Sequence, residues 1–120
     1  MNLDDVPIVK SDDRRGMLYV VCSVSDGSGN GKLVLRASYG AKLHENVLLG
    51  FSLEELADSG LDVVCLAGGF MYVDLAVKGI FIWGQSGNYG REPRGETVKL
   101  LREAYPDCEI IVDRSPFVRK

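Results

Sequence analysis

His44 is the only histidine in the chain, so it is the one side chain whose ordinary pKa lies close to neutrality. It falls in the first turn of a predicted helix, where the helix dipole disfavours an imidazolium. A neutral imidazole there can serve as a general base or as a nucleophile. Val47, Leu48 and Phe51 follow at helical spacing, so the position also reads as a half-buried structural histidine. Arg36 stands eight residues earlier, at the end of a predicted strand. Its planar fork suits a phosphate or a carboxylate; the plainer reading is a solvated surface arginine. The third feature is Trp83–Gly90, with glycines at 84, 87 and 90 and Ser86, Asn88 and Tyr89 between them. It reads as a tight strand-to-helix turn, or as a cradle of inward N–H groups with the Ser86 hydroxyl as a further donor. A base, a guanidinium and an N–H-lined loop form a set suited to phosphoryl transfer, which depends mainly on positioning and charge stabilisation. Arg91 and Arg94, just after the loop, either face solvent or close over an anionic substrate.

The elements that must hold these residues follow from the apolar pattern. A polar arm over residues 1–15 includes a short edge strand at Val6–Val9. Met17–Ser25, rich in Val and Tyr, reads as a buried strand. Asp26–Gly31 is a turn, and Lys32–Ala37 alternates as a strand carrying Arg36. Leu43–Ser59 carries apolar residues at helical spacing, and Gly60 suits its stop. Leu61–Ala67 and Phe70–Val77 read as two strands broken by Gly68-Gly69, and Lys78-Gly79 as a two-residue turn into Ile80–Trp83. Glu96–Tyr105 is a second helix ended by Pro106, and Glu109–Val112 a last strand. The expected fold is α/β of the α+β type: one mixed sheet of about six strands with two helices packed on it.

With 120 residues, the chain is expected to be one domain over residues 1–120. A net charge of −3 with scattered Lys and Arg argues against a nucleic-acid partner. No apolar run approaches the roughly 20 residues that span a bilayer, and Met1–Asp5 lacks a signal-peptide core. Cys22, Cys65 and Cys108 lack metal-ligand spacing and read as buried free thiols in a reducing cytoplasm, with a thiol nucleophile as the alternative. No carboxylate constellation points to a metal, and the Asp26–Gly31 turn lacks calcium-loop spacing.

Several short stretches, taken in order, resemble one family. They are Tyr19-Val20-Val21, Arg36 eight before His44, Cys65-Leu66 with Gly68-Gly69, Gly84 and Ser86 with Tyr89-Gly90, and Ala104-Tyr105-Pro106-Asp107. Over about Met17 to Val112 the chain is similar to the 14-kDa phosphohistidine phosphatase family, also called janus/ocnus. The resemblance implies a small mixed α/β fold and metal-independent, cofactor-free hydrolysis of phosphohistidine in proteins by a cytoplasmic monomer. It places the essential histidine, as general base or nucleophile, on His44 and the substrate arginine on Arg36. It places the phosphate loop on Ser86, Gly87 and Asn88, and phosphate-facing amides on Leu43 and Glu45.

Two positions depart from the family pattern. A phosphate-binding lysine of the first strand is replaced by Leu18, or by Tyr19 on a one-residue shift. An arginine after the central glycines is replaced by Phe70. Charged contacts to phosphate contribute about 1.5–3 kcal/mol each, so losing both weakens binding about a hundredfold unless Arg15, Lys42, Arg91 or Arg94 substitutes. The alternative function is therefore a weak or inactive phosphate- or phosphopeptide-binding regulatory protein. A structural protein with no pocket is a third.

Overall fold

The Val- and Tyr-rich stretch forms the centre of the molecule. In the computed structural model, which describes residues 1–117, Met17–Ser25 is strand β2. It turns Met17, Tyr19 and Val21 to one side and Val20, Cys22 and Val24 to the other. Both rows are apolar, so both faces need covering. The strand lies inside a single mixed sheet ordered β1 (Val9–Ser11), β3 (Gly31–Tyr39), β2, β4 (Asp62–Asp74), β5 (Gly79–Trp83), β6 (Glu109–Val112). The outer pairs β1/β3 and β5/β6 are parallel and the inner pairs antiparallel. Helix α1 (His44–Glu54) covers one face, where Val47 and Phe51 meet Val20, Cys22 and Val34. Helix α2 (Arg94–Ala104) covers the other, where Leu101 joins Tyr19, Leu35, Met71 and Ile82. This is the α+β sheet with two helices that the apolar pattern predicts.

Gly68-Gly69 does not break the chain into two strands. β4 runs straight through both glycines, pairing Gly68 with Val20 and Gly69 with Tyr19. Successive residues of a strand face opposite sides, so Gly68 opens the α1 face and Gly69 the α2 face. A Cβ on Gly69 would lie 2.7 Å from Tyr19 Cε2 and 2.8 Å from the Trp83 carbonyl oxygen. The glycine is needed for close approach of the tyrosine ring, which is one of the two meanings of glycine in a strand.

Three other boundaries move. α1 stops at Glu54 rather than Ser59, because Asp58 and Gly60 adopt positive φ and the Ser59 hydroxyl donates to the Leu56 carbonyl at 2.6 Å. The edge strand sits at Val9–Ser11, beyond Val6–Val9, while Val6 itself is buried in the α1-side core. The turn before β5 spans Leu75–Lys78 instead of two residues, with Lys78 N–H donating to the Leu75 carbonyl at 3.3 Å. All three cysteines are free thiols, Cys22 buried and Cys65 and Cys108 partly so.

Candidate functional site

α1 begins at His44 because Leu43 is extended and its N–H donates to the Asn46 side-chain oxygen at 3.1 Å, the return half of a capping box. His44 is thereby fixed over β4. Its Nε2 lies 2.8 Å from the Gly69 carbonyl oxygen. A carbonyl only accepts, so Nε2 donates, and a neutral ring then keeps its lone pair on Nδ1. The ring edge is seated on Gly68: a Cβ there would lie 2.6 Å from His44 Cδ2 and 3.2 Å from Ser86 Cβ. The bare backbone of Gly68 is the meeting point of the histidine and the loop serine.

The loop after β5 is stitched to that point. Gly68 N–H donates to the Gly90 carbonyl and Ser86 N–H to the Gly68 carbonyl, each at 3.0 Å, and Gly90 N–H returns to the Ser86 carbonyl at 2.9 Å. Gly84 and Gly90 have φ of +74° and +79°, a backbone region that favours glycine. The Ser86 side chain is buried, and its oxygen accepts the N–H groups of Asn88 and Tyr89 at 3.2 and 3.1 Å. As acceptor to both, the hydroxyl keeps its own hydrogen to donate. Gly87 and Asn88 are exposed at the loop tip. The first-turn amides of His44 and Glu45 have no intrahelical acceptor, whereas that of Leu43 is taken by Asn46.

Arg36 is brought elsewhere. Its Nε and Nη2 donate to the two Glu55 carboxylate oxygens at 2.8 and 2.9 Å, and Nη1 donates to the Leu35 carbonyl at 2.9 Å. The guanidinium also lies 4.4 Å from the centre of the Phe51 ring. A guanidinium 4% exposed needs its donors matched, and Glu55, past the far end of α1, matches them. Arg36 therefore clamps the C-terminal end of α1 to β3, while His44 stands at the N-terminal end.

The arginines considered as replacement cations are likewise engaged. Arg15 pairs with Asp74 at 3.0 Å, and Arg91 pairs with Asp113. Arg94 is buried under the loop on the α2 face. Its Nη1 donates to Tyr19 Oη at 2.6 Å and Glu92 Oε1 at 2.8 Å, its Nε donates to Asp113 Oδ1 at 2.9 Å, and its Nη2 donates to the Gly84 carbonyl. Tyr19 Oη donates to Glu92 Oε2 at 2.7 Å, and Thr97 donates to the same oxygen. Glu92 escaped the sequence reading, and Tyr19 gave no sign of a polar partner there; the one signal was a Glu-Pro-Arg triplet beside the loop. Lys42, exposed and two residues before His44, is the candidate nearest to the histidine in sequence.

This network makes the protein sensitive to alkali. Burial, then the Glu92 carboxylate, holds the Tyr19 phenol far above its ordinary value. Unfolded tyrosine ionises near pH 10. The contribution of Tyr19 to stability is therefore whole below about pH 10 and is lost as pH rises further, by about 1.4 kcal/mol per pH unit. Urea midpoints are expected to stay level from about pH 9 to 10 and to fall between about pH 10 and 11, and a flat profile across that step would contradict the buried phenol.

Leu18 and Phe70 are opposite one another on β2 and β4. Phe70 stacks on Trp83 at a ring-centre distance of 5.9 Å and meets the His44 ring edge-on at 5.9 Å. The ground beside the histidine is thus aromatic where the family pattern would put a cation. Among the described residues, no three His, Cys, Asp or Glu gather as metal ligands, and no helix is long and apolar enough to cross a membrane.

Fold and site together define a small α+β protein with a histidine–serine corner at the meeting of a helix start and a glycine-rich loop. The chain belongs to the Janus/Ocnus family, whose model matches residues 3–109. It is 26% identical over 114 residues to the sex-regulated protein janus-A of Drosophila pseudoobscura pseudoobscura, covering 91% of this chain and 76% of that one. The janus-A protein of Drosophila melanogaster is 28% identical over 110 residues, covering 90% and 79%. The 14 kDa phosphohistidine phosphatase of Sus scrofa is 27% identical over 115 residues, covering 91% and 90%.

Proposed function

We propose that this corner hydrolyses phosphohistidine in proteins. The observation that carries the reading is the convergence of His44 and Ser86 on Gly68, supported by the similarity to the pig phosphatase. The phosphoryl oxygens are held by the Ser86 hydroxyl, by amides of Gly87, Asn88 and Tyr89 released from internal contacts, and by the first-turn amides of His44 and Glu45. His44 Nδ1 supplies the lone pair that takes a proton from water or takes the phosphoryl group itself. The nitrogen–phosphorus bond breaks, the leaving imidazole carries away a proton, and a water oxygen ends on phosphorus. Arg36 serves from a distance by holding α1 through Glu55. Chelator-treated protein is expected to release inorganic phosphate from a phosphohistidine peptide; no release would overturn the reading.

A second reading has its own observation: Leu18, Phe70 and the internally paired Arg36 leave few cations at the corner. A regulatory protein that binds phosphorylated partners without turnover fits that arrangement. It predicts phosphopeptide binding that Ser86→Ala removes, with no phosphate released by either protein.

A further inference from the structure

Beside the corner lies a shallow groove of about 250 Å³ whose walls include Leu18, Ala41, Phe70, Trp83 and Phe117. Phe70 and Phe117 stay 38% and 67% exposed. Among the described residues, no ionic side chain lines it. The volume is below the ~300–1,000 Å³ of typical small-molecule sites, which suits one side chain rather than a whole cofactor.

Three features say what fits there. The groove borders the proposed phosphate site, because its wall residue Phe70 packs against both His44 and the loop: a Cβ on Gly84 would lie 2.5 Å from Phe70 Cδ2. A side chain next to the group held in the corner is therefore within reach of the groove. Its described walls offer an acidic or strongly polar occupant no partner, and burying such a group unpaired is costly. Finally, the chain already seats a phenyl ring on this surface. Phe117, from the segment after β6, packs edge-on against Tyr72 at 5.4 Å and Trp83 at 6.3 Å.

We propose that this groove is a specificity subsite that takes a large apolar side chain flanking the phosphorylated histidine of the substrate protein. The proposal rests on the phosphohistidine reading and deepens it. Where the family pattern places two cations to hold phosphate, this chain places apolar contact with the residue next to it. Affinity moves from the phosphoryl group, common to every phosphohistidine, to the neighbouring sequence. The result is a narrower substrate range.

The test compares two phosphohistidine peptides, identical except that the flanking residue is leucine or aspartate. The leucine peptide is expected to have the higher kcat/KM by about ten- to a hundredfold, the span given by burying one large apolar side chain. Phe117→Ala should shrink that ratio. Phe70→Arg, at a strand position exposed enough to accept it, should reverse it toward the aspartate peptide. Trp83 is the single tryptophan of the chain, so its fluorescence reports occupancy without turnover. Titration with the same two peptides, carrying a non-hydrolysable phosphonate analogue of phosphohistidine, is expected to shift the emission with leucine and not with aspartate. If neither peptide is hydrolysed but the titration discriminates, the catalytic reading fails and the subsite stands. Equal kcat/KM with equal titrations overturns the subsite while leaving catalysis intact. An emission shift on raising protein concentration alone overturns it in favour of a second copy of the chain.

Discussion

His44→Ala is expected to lower phosphohistidine hydrolysis by about 10²–10⁴-fold, the usual contribution of a positioned acid–base group, while leaving the protein folded. The ring is half-buried and makes one hydrogen bond, to the Gly69 carbonyl, whose loss costs about 1 kcal/mol. The melting temperature should therefore move by a few degrees only. Gly68→Ala provides the complementary case, with the histidine retained. Its new Cβ would stand 2.6 Å from His44 Cδ2 and 2.7 Å from the Tyr19 carbonyl oxygen. The second obstacle is backbone in the central strand and cannot swing aside, so the ring and loop must yield. A displacement of about 1 Å in a reacting group can cost about a hundredfold in rate, and overpacking of this kind costs about 1–3 kcal/mol in stability. Initial rates of phosphate release and melting curves on both variants check the pair. A His44→Ala protein as active as wild type would remove His44 from the mechanism and the phosphatase reading with it.

The same two glycines show what the sequence makes legible and what it hides. The apolar run Met17–Ser25, the alternation in Lys32–Ala37 and the helical spacing from Leu43 and from Glu96 were enough to place a sheet with two helices, because burying apolar surface on a regular element leaves a readable mark. Gly68-Gly69 leaves no such mark. A glycine that ends a strand and one that admits a ring from a neighbouring strand look alike in one dimension, and only the register with Tyr19 and Val20 separates them. Arg36 illustrates the opposite error. Its distance from His44 along the chain suggested a shared corner, yet α1 carries its N-terminus to β4 and its C-terminal end to β3. The seven residues between Arg36 and His44 connect different places. Long-range ion pairing decided the matter, since Glu55 lies nineteen positions from Arg36. Glu92 was hidden for a like reason, and so was the burial of Arg94, expected either to face solvent or to close over an anionic substrate. Charged side chains in a Gly- and Pro-rich stretch read as solvent-facing, but the strand pairing places Tyr19 and the loop carbonyl of Gly84 above them.

Arg94→Ala should then be the most destabilising single change in the site region. It removes, at once, the donors to Tyr19, Glu92, Asp113 and Gly84. Glu92, 5% exposed, would remain a buried carboxylate with only the Tyr19 and Thr97 hydroxyls for company. Breaking a buried pair from one side costs about 3–5 kcal/mol, which for a domain of this size is a fall in melting temperature of about 10–20 °C. The paired change Glu92→Gln with Arg94→Met should recover part of that loss, because no uncompensated charge is left behind. Acid dependence supplies an independent check. The hydrogen bond from Arg94, then that from Arg91, holds the Asp113 carboxyl below its ordinary value. Its stabilising contribution is present above the unfolded value of about 3.9 and is lost as pH falls through the lower folded one. In Arg94→Ala that acid step should weaken. Activity should fall as well, since the Gly84 carbonyl loses the donor that anchors the start of the proposed phosphate loop. If the melting temperature of Arg94→Ala stays within a few degrees of wild type, the buried network does not hold the loop, and the histidine–serine corner must owe its geometry to the Gly68 and Gly90 backbone pairing alone.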